Sequence, residues 1–240
     1  MADIVQRVVE PFLANCDRLL GTGYSAVLHG SAARGEYLEG WSDVNLLLVL
    51  ESAEPEVLRA LTVPFATWAR QHQAPPLLLT RAEWRRAADA FPIEITDMRS
   101  AYRVLRGADP LPEVVVSRGD LRAALERDLR GKLLRLRQGY VALAADPGAL
   151  AGLARDTVSS LVVLLRGVLT LAGAQVPVGR AEVADIAGRV AGLDTAPLKE
   201  VLAHLGDGDW ACSPAAFTEY LAVVEAVLRH VDHLTPGDPS

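Results

Sequence analysis

Between residues 25 and 50 the chain spells out two strands and the segment joining them, and no other stretch restricts its fold so tightly. Ser25-Ala26-Val27-Leu28-His29 runs into Gly30-Ser31-Ala32-Ala33-Arg34-Gly35-Glu36; past Gly40-Trp41-Ser42 comes Asp43-Val44-Asn45, then five apolar residues from Leu46 to Leu50. The order predicted is strand, tight turn, short helix, loop, strand. Gly30 lets the backbone approach a ligand, Ser31 offers a hydroxyl and an N-cap, and a helix beginning there directs free amides outward, as chains do to cradle phosphate. Side chains alternate along a strand, so Asp43 and Asn45 project from one face at the end of the apolar run, two oxygen ligands side by side. A hard divalent cation held by protein oxygens together with nucleotide phosphates needs such a pair, and Mg2+ is the expected ion.

A glycine-serine turn followed after a short spacer by Asp-x-Asp on a hydrophobic strand is the signature of the DNA polymerase beta-like nucleotidyltransferase superfamily. Gly30-Ser31 through Asp43-Val44-Asn45 resembles it, with Asn45 standing where the second aspartate belongs. The resemblance implies transfer of a nucleoside monophosphate from a nucleoside triphosphate to a hydroxyl on a small-molecule or protein acceptor. Asp43 and Asn45 would hold Mg2+, and Gly30 and Ser31 would grip the phosphates, with Arg34 and Ser42 beside them. Arg34, in the first turn of the helix, reaches a phosphate or pairs with Glu36 or Glu39.

In that superfamily a third acidic residue comes from a later strand next to the Asp-x-Asp strand. Ile93-Glu94-Ile95-Thr96-Asp97-Met98-Arg99 matches its context, so Glu94 is expected on a strand opposite Asp43, as acceptor base or metal ligand, with Asp97 at the following turn. The same alternation also describes a half-exposed strand on which Glu94 is plain surface. Tyr102 to Gly107 looks like the tail that closes the domain. Asn45 keeps a carbonyl oxygen but no charge, which puts a second metal in doubt. The alternative is a catalytically degraded fold serving as a nucleotide-binding or protein-interaction module, similar to minimal nucleotidyltransferases paired with small helical toxin partners.

The rest of the chain supplies two domains of similar size in its 240 residues. Helical spacing over residues 3 to 20 places a packing helix before the first strand. Residues 54 to 72 form another, expected to kink or restart at Pro64, and Leu77-Leu78-Leu79 is a short buried strand. Thr80 caps a helix running to Ala90. From Ser117 onward the period is helical throughout, and breakers divide the segment into five helices, with Val158 to Leu171 at the centre of an up-and-down bundle. The fold class expected is α+β: a mixed-sheet nucleotidyltransferase domain over residues 1–116, an all-α helical bundle over 117–234, and a frayed tail at 235–240. In relatives similar to aminoglycoside nucleotidyltransferases the helical half supplies the acceptor pocket.

Net charge is −6 with both signs spread over the chain, which argues against a nucleic-acid surface. No apolar run is expected to span a membrane, the N-terminus lacks a signal peptide's charge pattern, and the expected location is cytoplasmic. Cys16 and Cys212 read as two reduced, inert thiols. The basic residues 118, 122, 127, 130, 132, 135 and 137 either hold a polyphosphate or acidic acceptor or form a solvated face paired with Asp120, Glu126 and Asp128. His29 is expected to pack at its strand's end. A homodimer across a two-fold axis is compatible with the helical half.

Overall fold

A computed structural model describes residues 4–71 and 73–234. They form two compact units: the chain up to Phe91 together with Met98–Val115, and Pro92–Asp97 together with the chain from Val116 on.

In the first unit a π-helical turn, Val5–Val9, leads into α1 (Glu10–Leu20), followed by β1 (Tyr24–His29), α2 (Gly30–Arg34), β2 (Asn45–Leu50), α3 (Pro55–Ala69), β3 (Leu77–Thr80) and α4 (Arg81–Trp84). A further helix, α5 (Pro92–Ser100), and a fourth strand, β4 (Tyr102–Arg106), complete it, α5 contributing only from Met98 on. The sheet order is β3-β2-β1-β4, with β1 antiparallel to β2 and β4 and β3 parallel to β2. Strands β1 and β2 are buried almost end to end, which is why both read as continuous apolar runs rather than alternating ones. Phe12 of α1 packs on Phe65 and Trp68 of α3, ring centroids 5.4 and 4.8 Å apart. Polar groups tie α1 to the sheet: the Tyr24 hydroxyl donates to Asp17 at 2.6 Å, and Arg106 pairs with Asp17 and Glu10 at 3.0 and 2.8 Å.

Four expectations are corrected here. Pro64 does not interrupt α3, which runs unbroken through it with Leu61, Pro64 and Trp68 buried; the lost amide bond is outweighed by the packed face. Thr80 caps its helix with a full capping box, Glu83 donating its amide to Thr80 and accepting from the Thr80 amide, but the helix ends at Trp84 rather than Ala90. The supposed closing tail, Tyr102 to Gly107, is strand β4, pairing with β1. Gly107 turns the chain off it at φ +68°, where a Cβ would collide with the Tyr24 carbonyl.

The fourth concerns Glu94. Ile93–Met98 is not a strand: it lies in α5, with Pro92 in its first turn, where the missing amide costs nothing. Buried Ile93 and Asp97 are four residues apart, and Ile95 and Met98 three, a helical spacing that six residues of alternation imitate. Asp97 holds no turn. It is buried beside Arg166, 3.8 Å away, and Arg166 also donates to the Val178 carbonyl at 2.8 Å.

The second unit has the five expected helices: α6 (Arg118–Leu143), α7 (Pro147–Leu171), α8 (Arg180–Ala191), α9 (Ala196–Ala203) and α10 (Pro214–His233). Ser117, Asp146 and Ser213 cap α6, α7 and α10 with their side chains. By length and composition alone α7 is apolar enough to cross a membrane, contrary to expectation. In the fold it is the bundle's core helix, burying Leu150, Val158, Leu161, Leu165 and Leu169 among the others. Both cysteines are buried free thiols, and burial pushes Cys16 up to about 12. Residues 235–240, the expected frayed tail, lie outside the described residues.

Candidate functional site

The β1–β2 register sets His29 opposite Asn45, and the β1–β4 register sets Tyr102 opposite His29. Directly opposed residues of antiparallel strands share a face, so Asn45, His29 and Tyr102 form a row across one end of the sheet. At His29 the chain leaves β1 and turns into α2. Gly30 has φ +71°, and a Cβ built there would sit 2.6 Å from the Asn45 amide nitrogen. Glycine is therefore required twice, for its backbone angle and for the amide's close approach. Helix α2 lasts one turn, ended by Gly35 at φ +83°.

Asp43 stands two residues ahead of the first residue of β2 and is exposed, while Val44 is wholly buried and Asn45 half-buried. The alternation expected of a strand thus extends back to Asp43, although the ladder does not. What holds this segment is Gln73, whose side-chain oxygen accepts the Val44 amide at 2.7 Å. Ser42 closes its own loop: its amide donates to the Leu38 carbonyl at 2.8 Å and its hydroxyl accepts the Leu38 amide at 3.1 Å. Ser42 and Asp43 line a groove of about 640 Å³ with Tyr37, Trp41, Arg7 and Gln71. Arg34 donates to the Ser100 hydroxyl at 2.7 Å, and Glu39 is engaged by Arg7 at 2.7 Å.

The structure therefore brings Gly30, Ser31 and Asn45 to one corner, with Ser42 and Asp43 leading into it. Glu94 belongs to the second unit, in a groove with Lys132, Arg135 and Asp128. Desolvation, followed by Asp128, pushes its carboxyl up from the ordinary value. The strand that pairs with β2 on the side away from β1 is β3, Leu77-Leu78-Leu79-Thr80, which carries no acid.

Among the described residues no three of His, Cys, Asp and Glu stand close enough to hold a metal ion. At this corner the candidate ligands expected from the sequence are the Asp43 carboxylate and the Asn45 amide oxygen. Mg2+ accepts such a sparse set when phosphates and water complete its shell, so the residues fit an ion that arrives with a nucleotide.

At this corner Gln73 escaped sequence reasoning, whereas His29 was expected only to pack at its strand's end. Gln73 left no signal, because its partner Val44 is 29 residues away. His29 stood beside the glycine, but its place in the row with Asn45 follows only from strand register. Burial, with the Arg34 charge adding to it, lowers its imidazole to about 4, so it is neutral at pH 7.

Residues 10–101, from the start of α1 to the residue before β4, match the family model described as a nucleotidyltransferase domain. Among solved structures the chain is similar to spectinomycin adenyltransferase AAD(9) from Enterococcus faecialis, determined with ATP and spectinomycin. Identity is 11% and the TM-score 0.54, over 92% of this chain and 98% of that one, a likeness of fold. No curated protein sequence matches the chain. Gly30, Ser31, Asp43 and Asn45 all lie inside the segment that matches the nucleotidyltransferase domain model.

Proposed function

We propose that the chain binds a nucleoside triphosphate at the Gly30–Asn45 corner and transfers its nucleoside monophosphate to an acceptor hydroxyl. The acceptor oxygen forms a bond to the α-phosphorus, the bond to the bridging oxygen breaks, pyrophosphate leaves, and the acceptor proton is released. One observation carries the reading: within the matched domain, a glycine forced to φ +71° abuts the Asn45 amide where the Asp43 segment enters β2. The backbone at Gly30 and Ser31 contacts the phosphates, and the Ser31 hydroxyl adds a donor. Asp43 and the Asn45 oxygen hold Mg2+, which when bound supplies neutralisation of phosphate charge. ATP is the first nucleotide to test, since the similar adenyltransferase was determined with it. Glu94 lies on a helix of the second unit rather than on a strand, and this reading assigns it no role.

Asn45 and the acid-free β3 favour a second reading, a domain that binds nucleotide without turning it over. Calorimetry with ATP and Mg2+ tests what both share: Asp43→Ala abolishes magnesium-dependent binding, and tight binding unchanged by that substitution rejects both. Labelled triphosphate with a broad acceptor panel separates them. Transfer by the natural chain defeats the binding-only reading, whereas transfer only after Asn45→Asp establishes it.

A further inference from the structure

The basic residues of α6 divide into two kinds. Arg122 pairs with Glu126, Arg127 with Asp128, Arg130 with Glu126 and Asp232, and Arg137 with Glu225, each within 3.4 Å. Lys132 and Arg135 pair with no carboxylate among the described residues. The Lys132 ammonium instead donates to the Ser160 hydroxyl at 2.6 Å and the Thr157 carbonyl at 3.4 Å, so one of its three donors lacks a protein acceptor. Both line one groove of about 580 Å³, within the range of small-molecule sites. Ile93, Val163 and Leu164 give it an apolar lining, and Arg127, Asp128 and Glu94 complete its charged part.

Two like charges three residues apart on a helix repel, and Lys132 is half-buried as well. Burial, then Arg135, lowers its ammonium from the ordinary value. An oxyanion between them offsets both penalties: Arg135 presents a planar fork and Lys132 a compact charge. Three cations against two carboxylates give the groove a bias toward an anion and against a polycation.

We infer that the helical unit binds a small molecule through a phosphate or carboxylate group, held by Lys132 and Arg135 in the groove among α6, α7 and the first turn of α5. The site is independent of nucleotidyl transfer. Titration calorimetry of the whole chain, without nucleotide or Mg2+, tests it with inorganic phosphate, pyrophosphate and citrate, the last separating carboxylate from phosphate ligands. At least one probe binds, and Lys132→Gln and Arg135→Gln each weaken it by about tenfold or more, the loss of one charge-assisted hydrogen bond. Arg137→Gln, whose partner is Glu225, leaves the affinity unchanged.

Absence of binding by all three probes at millimolar concentration overturns the site, as does equal affinity in the Lys132 and Arg135 variants. Should Lys132→Gln lower the melting temperature, exposed Arg135 carries the test alone. Asp43→Ala separates the two proposals. Probe binding that survives this substitution while magnesium-dependent ATP binding is lost supports both. ATP binding without any probe binding sinks only the anion site; probe binding without any ATP binding sinks only the nucleotide reading.

Discussion

Replacing Gly30 by alanine introduces two separable costs. At φ +71° a residue with a Cβ is strained by about 1–2 kcal/mol. The new methyl would also lie 2.6 Å from the Asn45 amide nitrogen, nearer than carbon and nitrogen can approach, and overpacking of this kind costs roughly 1–3 kcal/mol. Together they predict a loss of about 2–5 kcal/mol, a fall in melting temperature on the order of 4–20 °C for a chain of this size. Differential scanning calorimetry and chemical denaturation of the whole chain measure it. Asn45→Ala in the same molecule removes the collision and leaves the backbone strain, so the double variant recovers about 1–3 kcal/mol relative to additivity. A Gly30→Ala protein within about 0.5 kcal/mol of the natural one, or single variants additive within that margin, refutes the close approach on which the nucleotide corner is built.

Two further measurements probe the corner and the sheet beside it. His29 has its imidazole lowered to about 4 by burial and by Arg34, against 6.5 for the free side chain. Above pH 6.5 neither folded nor unfolded chain carries that proton. As pH falls from 6.5 toward 4 only the unfolded state takes it up, so this group removes up to about 3 kcal/mol of stability across the window and nothing more below it. Denaturation from pH 7 to 4, compared with His29→Gln, reads the difference; identical pH profiles would contradict the assignment. Thr80→Ala deletes half of the capping box with Glu83 and costs about 1 kcal/mol by denaturant titration, whereas Thr80→Ser costs less than half of that.

Residues 25–50 were legible because every requirement there is local. An apolar run makes a strand, a glycine permits a positive φ, and the next strand follows within reach of a short helix. The cap at Thr80 and the breakers that divide α6 to α10 were legible for the same reason. Ile93 to Met98 was not, since six residues satisfy a period of two and a period of 3.6 equally well, and a proline such as Pro92 both ends helices and opens them. Tyr102 to Arg106 hid its strand because it pairs with β1 alone and exposes Arg103 and Val104, giving no clean alternation.

From its sequence alone the chain was determined to carry a glycine-serine turn, an aspartate two residues before an amide, and a helical second half. These follow from backbone preferences and side-chain spacing over a few residues. Only the tertiary structure decided that Asn45 presses on Gly30, that Gln73 holds the Val44 amide, that Asp97 answers the buried Arg166, and that Glu94 shares a groove with Lys132. Each of those depends on a partner 15 to 69 positions distant, and strand register and helix packing, which local spacing does not encode, choose the partner.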